Sequence, residues 1–154
     1  MSAATGDEHE RDAAGAVART AASPVETLPL LGEREKSCLQ RYLDLLLETL
    51  GRELDRVALF GSVARGESWP AGMPIRSDLD LLVVTDSPLP ADLAAALIDA
   101  TLPLFLECGR QIGPQFRTPE DLAHPTDERT ARFLDEVRMD GIYLYRRGDV
   151  GGRA

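Results

Sequence analysis

Cysteine, histidine and lysine are scarce in this 154-residue sequence. Cys38 and Cys108 stand far apart and form no CxxC pair, so the sequence indicates neither a zinc site nor a disulfide framework, and we expect two buried thiols. His9 and His124 have no cysteine or histidine partner nearby in the sequence, so metal binding through imidazole is not expected. Lys36 is the only lysine, so a cationic side chain that contacts phosphate would be an arginine.

Long apolar runs and a basic surface are also missing. No stretch approaches the roughly 18 apolar residues of a membrane span, and the first residues lack the basic and apolar regions of a secretory signal. We therefore expect a cytoplasmic protein with no membrane segment. The net charge of -9 disfavours a protein that neutralises nucleic-acid phosphates. At 44% hydrophobic residues the chain can bury a core, which excludes disordered and collagen-like classes.

The sequence divides into a tail, one domain and a short end. Residues 1–28 show no sustained apolar period and are predicted to be a flexible tail, with a short partner-binding segment as the alternative. Residues 29–146 are predicted to form one domain, and the Arg- and Gly-rich residues 147–154 a frayed C-terminus.

The spacing of apolar residues within the domain predicts helices alternating with strands. Helices are predicted, from apolar spacing and cap residues, over 39–50, 91–108 and 127–139, with a short one after Thr118. Strands are predicted over 57–60, 79–84, 111–117 and 142–145. Pro103 is expected to bend or interrupt its helix, and Pro114 to place its strand at a sheet edge or a bulge. A short helix and then a loop are expected between the first two strands. The predicted fold is α/β, a small mixed β-sheet flanked by helices.

Two aspartates flank the start of the second predicted strand. Asp78 and Asp80 are two residues apart, and in an extended strand such side chains point to the same face. Two carboxylates this close repel each other unless a cation neutralises them. Their hard oxygen atoms suit Mg²⁺ or Mn²⁺, which also bind phosphate oxygens. The pair therefore predicts a divalent metal site.

A glycine and a serine follow the first predicted strand. Gly61 permits a tight turn with close backbone approach, and Ser62 adds a hydroxyl donor, so the pair predicts a phosphate-binding turn. Residues 61–68 have the spacing of a Walker A loop, but Glu67 stands where that loop needs a lysine. No GxGxxG follows a strand, so a dinucleotide-binding fold is not supported.

Together these motifs resemble the signature of the nucleotidyltransferase superfamily that includes DNA polymerase beta, and most closely its minimal members. The resemblance rests on Gly61-Ser62 with Ala64-Arg65-Gly66, followed by Ser77-Asp78-Leu79-Asp80-Leu81. It implies metal-dependent transfer of a nucleoside monophosphate, with AMP favoured, from a triphosphate to an acceptor hydroxyl, releasing pyrophosphate. Carried over by position, Gly61 and Ser62 would hold the triphosphate, and Asp78 and Asp80 would be catalytic metal ligands. Arg65 would contact phosphate or pair with an acid, and both alternatives stay open.

Two departures from the family pattern stand out. The linker from Val63 to Ser77 is somewhat longer than is usual, which indicates a loop insertion. Active members present a third carboxylate from the next core strand, whereas residues 111–117 contain no Asp or Glu, and Gln115 stands near that position. Glutamine binds Mg²⁺ weakly and cannot act as a general base. Glu107 could substitute, although a surface carboxylate is the simpler interpretation.

The resemblance also implies a partner. Minimal relatives are often the antitoxin half of a pair with a HEPN-type ribonuclease toxin, so an enzyme that modifies such a toxin is one specific version of the hypothesis. Another protein, an RNA or a small molecule are the alternative carriers of the acceptor hydroxyl. Larger relatives carry an acceptor-binding domain, so a second copy of the chain or a partner would supply that surface here. The alternative function is a catalytically impaired binding module that acts by protein contact. The missing third carboxylate favours this alternative, and the retained acid pair opposes it.

Overall fold

The computed structural model of the chain describes residues 24–28, 31–61, 63–64 and 78–148. The helices are α1 (Glu33–Leu50), α2 (Ala91–Asp99), α3 (Thr101–Cys108), α4 (Pro119–Ala123) and α5 (Glu128–Asp140). The strands are β1 (Leu54–Phe60), β2 (Leu79–Thr85), β3 (Ile112–Arg117) and β4 (Ile142–Arg146), and a 3₁₀ turn (Gly51–Glu53) joins α1 to β1.

The strands form one four-stranded mixed sheet in the order β3-β2-β1-β4. β1 is antiparallel to both β2 and β4, whereas β2 and β3 are parallel. β3 is the outermost described strand on its side, which is where the proline at position 114 indicated that it would lie. The α/β prediction with a small mixed sheet is therefore confirmed.

Side chains alternate between the two faces of the sheet, and each face is covered by its own helices. The first face carries Val57, Leu59, Leu79, Leu81 and Val83, which belong to the larger core with residues of α1, α2 and α3. The second face carries Ala58, Phe60, Leu82 and Val84, which pack with apolar residues of α4 and α5. Strands buried on both faces explain why β1 and β2 read as nearly continuous apolar runs.

A buried ion pair joins α1 to the start of β3. Gly32, the residue before α1, donates its amide to the Glu35 carboxylate at 2.8 Å. The same side chain accepts from the Arg110 guanidinium at 3.0 Å, and the two side chains are 8% and 7% exposed. Because Arg110 lies two residues before β3, the pair ties the first helix to the sheet edge.

The helix predicted over 91–108 is two helices, α2 and α3, separated at Ala100. Pro103 is the third residue of α3, so it lies in a first turn where a backbone N–H has no acceptor within the helix. In one continuous helix its ring would clash with the carbonyl of Asp99, four residues earlier, where α2 ends. The interruption expected from Pro103 is therefore present, just before the proline. α3 ends at Gly109, with φ at +78°.

The packed region extends beyond both predicted domain boundaries. Val25 and Leu28, within the stretch predicted as tail, are 1% and 3% exposed and belong to the larger core. Arg147, predicted as the start of the frayed end, forms ion pairs with Asp55 and Asp86. The rest of the predicted tail, residues 149–154 and the predicted β1–β2 helix lie largely or wholly outside the described residues. No helix in the described ranges is long and apolar enough to cross a membrane.

Candidate functional site

The two aspartates lie at the start of β2, on the second face of the sheet. Asp80 is the second residue of β2 and is half-buried, whereas Asp78 precedes the strand and is exposed. The Leu79 amide between them donates to the Gln111 carbonyl at 2.8 Å, which fixes this strand end against the chain entering β3.

Both carboxylates point toward the same part of β3. Asp80 is opposite Gly113 in the parallel pairing of β2 with β3. A Cβ atom placed on Gly113 would lie 3.7 Å from Asp80 Oδ1 and 3.9 Å from Asp78 Oδ2. The structure therefore brings the two carboxylates together over a residue without a side chain, which leaves room for a cation beside them.

Gly61 is in direct contact with Asp80, one member of this acid pair. It follows β1, whose last residue, Phe60, is paired with Asp80 across the antiparallel ladder. Its φ is +85°, a conformation that residues with a side chain rarely adopt, and an added Cβ would lie 2.5 Å from Asp80 Oδ2. Glycine at this position thus leaves space for the Asp80 carboxylate. Ser62 and Arg65, also predicted for the site, lie outside the described residues.

Gln115 lies beside Asp80 where the sequence placed the missing third carboxylate. It is opposite Leu82 in β3, so it shares the second face with Asp80. Gln115, Asp80 and Phe60 line a cavity of about 220 Å³. Within the described ranges, no group of three or more His, Cys, Asp or Glu side chains could hold a metal ion.

Glu107, considered as a substitute carboxylate, does not reach this site. It lies near the end of α3, in the helix layer on the first face of the sheet, and pairs with Arg41 of α1. Both side chains of this pair are 51% exposed. Glu107 therefore has the surface role that the simpler interpretation gave it.

The opposite wall of the cavity comes from α5 and was not predicted. Arg129, Arg132, Phe133 and Glu136 line the cavity together with Phe60, Asp80 and Gln115. Their spacing of i, i+3, i+4 and i+7 is that of one helix face. The apolar period of this helix identified Phe133 as a core residue. The sequence signal for Arg129, Arg132 and Glu136 was their helical spacing around Phe133, which places them on the same face.

An aromatic stack fixes this helix over the site. The rings of Phe133 and Phe60 lie 5.5 Å apart between centroids with 25° between their planes. The guanidinium of Arg117 lies 5.0 Å from the centre of the Phe133 ring on the same side of the sheet. At the start of α5, the Asp127 carboxylate accepts from the Thr130 amide at 2.6 Å, and this hydrogen bond lowers the pKa of Asp127.

The two cysteines take no part in this site. Cys38 is buried in α1 and Cys108 is half-buried at the end of α3, and both are free thiols. Burial, with a contribution from the neighbouring Cys108, raises the pKa of the Cys38 thiol to about 11. A thiol that stays protonated at neutral pH is a poor nucleophile and a poor metal ligand.

The glycine turn and aspartate pair at adjacent strand ends of a mixed sheet define the class of nucleotidyltransferase-fold α/β domains. The family model of the nucleotidyltransferase domain matches residues 39–138, and the chain belongs to this family. The membership inferred from the sequence motifs is therefore confirmed, and it places the chain in a transferase class whose members generally use divalent metals. No curated protein matches the chain.

Several solved structures are similar in fold. A crystal structure of a toxin-antitoxin with AMP-PNP is 18% identical with a TM-score of 0.45, covering 70% of this chain and 73% of that one. The toxin-antitoxin MntA-HepT is 14% identical with a TM-score of 0.44, covering 77% and 78%. A complex of tri-AMPylated Shewanella oneidensis HEPN toxin with MNT antitoxin is 14% identical with a TM-score of 0.41, covering 75% and 78%.

Proposed function

We propose that this protein is a metal-dependent nucleotidyltransferase that moves a nucleoside monophosphate from a nucleoside triphosphate to an acceptor hydroxyl, with AMP as the favoured group. The observation that carries the proposal is the contact geometry of Gly61, Asp78 and Asp80 in a chain of this family. A turn that allows close backbone approach lies against Asp80, whose carboxylate shares a place over Gly113 with that of Asp78, and this is the combination needed to hold a phosphate beside a cation.

The donor atoms suit one divalent cation. Asp78 and Asp80 supply hard carboxylate oxygens directed to one place, and these would hold Mg²⁺ or Mn²⁺. When bound, the cation supplies positive charge next to the phosphate oxygens and the leaving pyrophosphate. The β3 residue beside Asp80 is Gln115, whose neutral amide binds Mg²⁺ weakly, so this set favours one strongly held cation over two.

The remaining residues are proposed to bind and orient. Gly61 allows the backbone to approach the triphosphate, and Ser62 is proposed to donate its hydroxyl to a phosphate oxygen. Arg65 is proposed to contact phosphate as well. Gln115 can hydrogen-bond an acceptor hydroxyl and hold it in place, but its amide cannot accept the proton of that hydroxyl, which slows transfer.

The proposed acceptor is a protein, specifically a HEPN-type toxin that acts as partner in the cytoplasm. Supporting this choice, α2 and α3 expose Ile98, Leu102, Phe105 and Leu106, with the Leu106 side chain at 74% exposure. Exposed apolar residues grouped on neighbouring helices are typical of surfaces that meet another protein.

A second candidate function is a binding module of this fold that acts without transfer. The observation that favours it is Gln115, an amide on β3 where active members present their third carboxylate. In this case nucleotide binding could persist while the protein acts on its partner by contact.

Transfer of radioactive label distinguishes these functions. Full-length protein, Mg²⁺, a candidate partner protein and each α-labelled nucleoside triphosphate are incubated with wild type, Asp78→Asn or Asp80→Asn. We expect label on the acceptor with wild type and none with either variant. Asp99→Asn, the same change at an exposed position at the end of α2, is the matched control and should transfer normally.

A further variant, Gln115→Glu, tests the role of the missing carboxylate. If transfer is limited by the lack of a base, this variant raises the rate, with gains on the order of 10² for a positioned general base. Absence of label with every form, together with partner capture that Asp78→Asn and Asp80→Asn leave unchanged, would establish the binding module instead.

A further inference from the structure

Two arginines of α5 lie across a cavity from Asp80, one of the acid pair. Arg129 and Arg132 line the same cavity as Asp80 and Gln115, and their i, i+3 spacing places them side by side on one helix face. The next residue, Phe133, stacks on Phe60 and holds this face against the end of β1. The helix therefore places both arginines at the cavity that Asp80 and Gln115 line on the sheet side.

Neither arginine has a carboxylate partner among the described residues. Five other described arginines, Arg41, Arg56, Arg110, Arg138 and Arg147, each form an ion pair with an acid, whereas Arg34, Arg52, Arg117 and Arg146 form none within the described ranges and lie outside this cavity. Arg129 and Arg132 are exposed and form no ion pair within the described ranges, in a chain with 26 acidic and 17 basic residues. The two guanidinium groups have donors that a bound anion would accept from, next to a carboxylate that can hold a cation.

The size of the cavity indicates which part of a ligand it takes. Its volume of about 220 Å³ is below the roughly 300 to 1,000 Å³ of pockets that enclose a whole small-molecule ligand. An anion in this space would touch both the arginines and a cation held by Asp80. The phosphates are the charged groups of a nucleotide, and their oxygens bind both a divalent cation and guanidinium groups.

We propose that Arg129 and Arg132 bind the phosphate chain of the nucleotide at this site. This inference rests on the proposed function, since it takes a nucleoside triphosphate as the ligand. The two fixed positive charges compensate in part for the absence of a third carboxylate, because a site with Gln115 holds fewer cations to neutralise the triphosphate. Arginine suits this role because its planar donors bind phosphate oxygens in pairs.

Binding of a non-hydrolysable ATP analogue tests the inference without requiring transfer. The full-length chain is titrated calorimetrically with the analogue and Mg²⁺, as wild type, Arg129→Gln, Arg132→Gln and the double variant. We expect each single change to weaken binding by about tenfold, the lower limit for a charged hydrogen bond, and the double change by more. Arg129→Lys with Arg132→Lys should give intermediate affinity, since charge is kept and paired donation is lost.

Arg138→Gln is the matched control, because Arg138 lies on α5 but lines a different cavity with Leu134 and Val137. Its affinity for the analogue should equal that of wild type. Inorganic tripolyphosphate should compete with the analogue in wild type and much less in the double variant, and thermal unfolding should show that all variants are folded.

The outcomes separate this inference from the proposed function. Loss of analogue affinity in the double variant supports the inference even if no form transfers label. Unchanged analogue affinity in the double variant overturns the inference, and this includes the case in which the arginines bind a phosphate of the acceptor instead. Label transfer that depends on Asp80 would still support the proposed function. Failure of wild type to bind the analogue at millimolar concentration overturns it as well.

Discussion

At the scale of single residues, Gly61 and Asp80 determine each other's conformation. There are two separate reasons for glycine at position 61. Its φ is positive, and a Cβ atom placed on it would lie 2.5 Å from Asp80 Oδ2. The first concerns backbone strain and the second concerns the carboxylate, so substitution should affect both stability and the site.

Gly61→Ala is expected to lower the free energy of unfolding by about 1 to 3 kcal/mol, since a residue with a side chain must adopt positive φ, and to displace the Asp80 carboxylate. Gly109→Ala is the control, because Gly109 has a similar φ of +78° and no atom within 4 Å of an added Cβ. Urea unfolding should show destabilisation in both variants, whereas nucleotide transfer or analogue binding should fall only in Gly61→Ala. Equal binding by the two variants would contradict the role given to this contact.

The sequence could predict that part of the candidate site whose arrangement is local. Asp78 and Asp80 are related by the two-residue period of a strand, and Gly61 by its place after a strand, so the pattern in a short window predicts their arrangement. Arg129 and Arg132 are distant in sequence from the other site residues. Their position depends on how α5 packs across the sheet through Phe133, and no local period encodes that packing.

At the scale of elements, the buried pair of Glu35 and Arg110 connects α1 to the segment entering β3. The Glu35 carboxylate also accepts the Gly32 amide at the start of the helix, so one side chain caps a helix and binds a distant cation. The capping contribution is local in sequence. The contact with Arg110 spans 75 residues and is not visible in the sequence pattern.

Glu35→Gln should reduce the free energy of unfolding by about 3 to 5 kcal/mol, because it removes the negative charge that lies 3.0 Å from the buried Arg110 guanidinium. Replacing both residues, as Glu35→Leu with Arg110→Leu, should cost less than the single change. Urea denaturation of the two variants and wild type measures the difference. A double variant that is less stable than the single one would show that the pair is stabilising in itself.

Most helices and strands could be predicted from local sequence features such as cap residues, prolines and apolar spacing. Contacts between residues distant in sequence could not be predicted in this way. The cap at Thr118, the proline at 119 and the apolar period of α5 predicted two helices that the structure contains. Val25, Leu28 and Arg147, which lie outside the residues predicted as the domain, are anchored by contacts with remote parts of the chain. Sequence composition alone could not show those contacts.

At the scale of the whole molecule, Arg147 closes the domain by joining three segments. Its guanidinium donates to both carboxylate oxygens of Asp86, after β2, at 2.8 and 2.9 Å. It also pairs with Asp55 at the start of β1 and donates to the carbonyl of Arg52. The end of β4 is thereby held to the neighbouring ends of β1 and β2.

This network predicts a specific pH dependence of stability. The hydrogen bond from Arg147 lowers the pKa of Asp86 below its ordinary value of 3.8. Because the folded-state pKa is below the unfolded one, the stabilisation is complete above pH 3.8 and is lost as the pH falls through the lower folded-state value. Arg147→Gln should therefore be less stable than wild type at neutral pH, and the difference should shrink in acid.

Urea midpoints of wild type and Arg147→Gln, measured from neutral pH down to below the folded-state pKa of Asp86, test this expectation. Arg138→Gln removes an exposed arginine that pairs with Asp135 and is the control for loss of one positive charge. A difference between Arg147→Gln and wild type that stays constant with pH would contradict the linkage to Asp86.

The proline in β3 also bears on how another molecule can approach. Pro114 lies in the outermost described strand on one side of the sheet, and it offers no backbone donor to a strand arriving from outside. Sheet extension by a partner's extended segment, a common route of peptide capture and of aggregation, is disfavoured along this edge. A protein that binds at this edge must therefore be recognised through side chains and shape. Substitutions of surface side chains, more than backbone pairing, will determine which partner binds there.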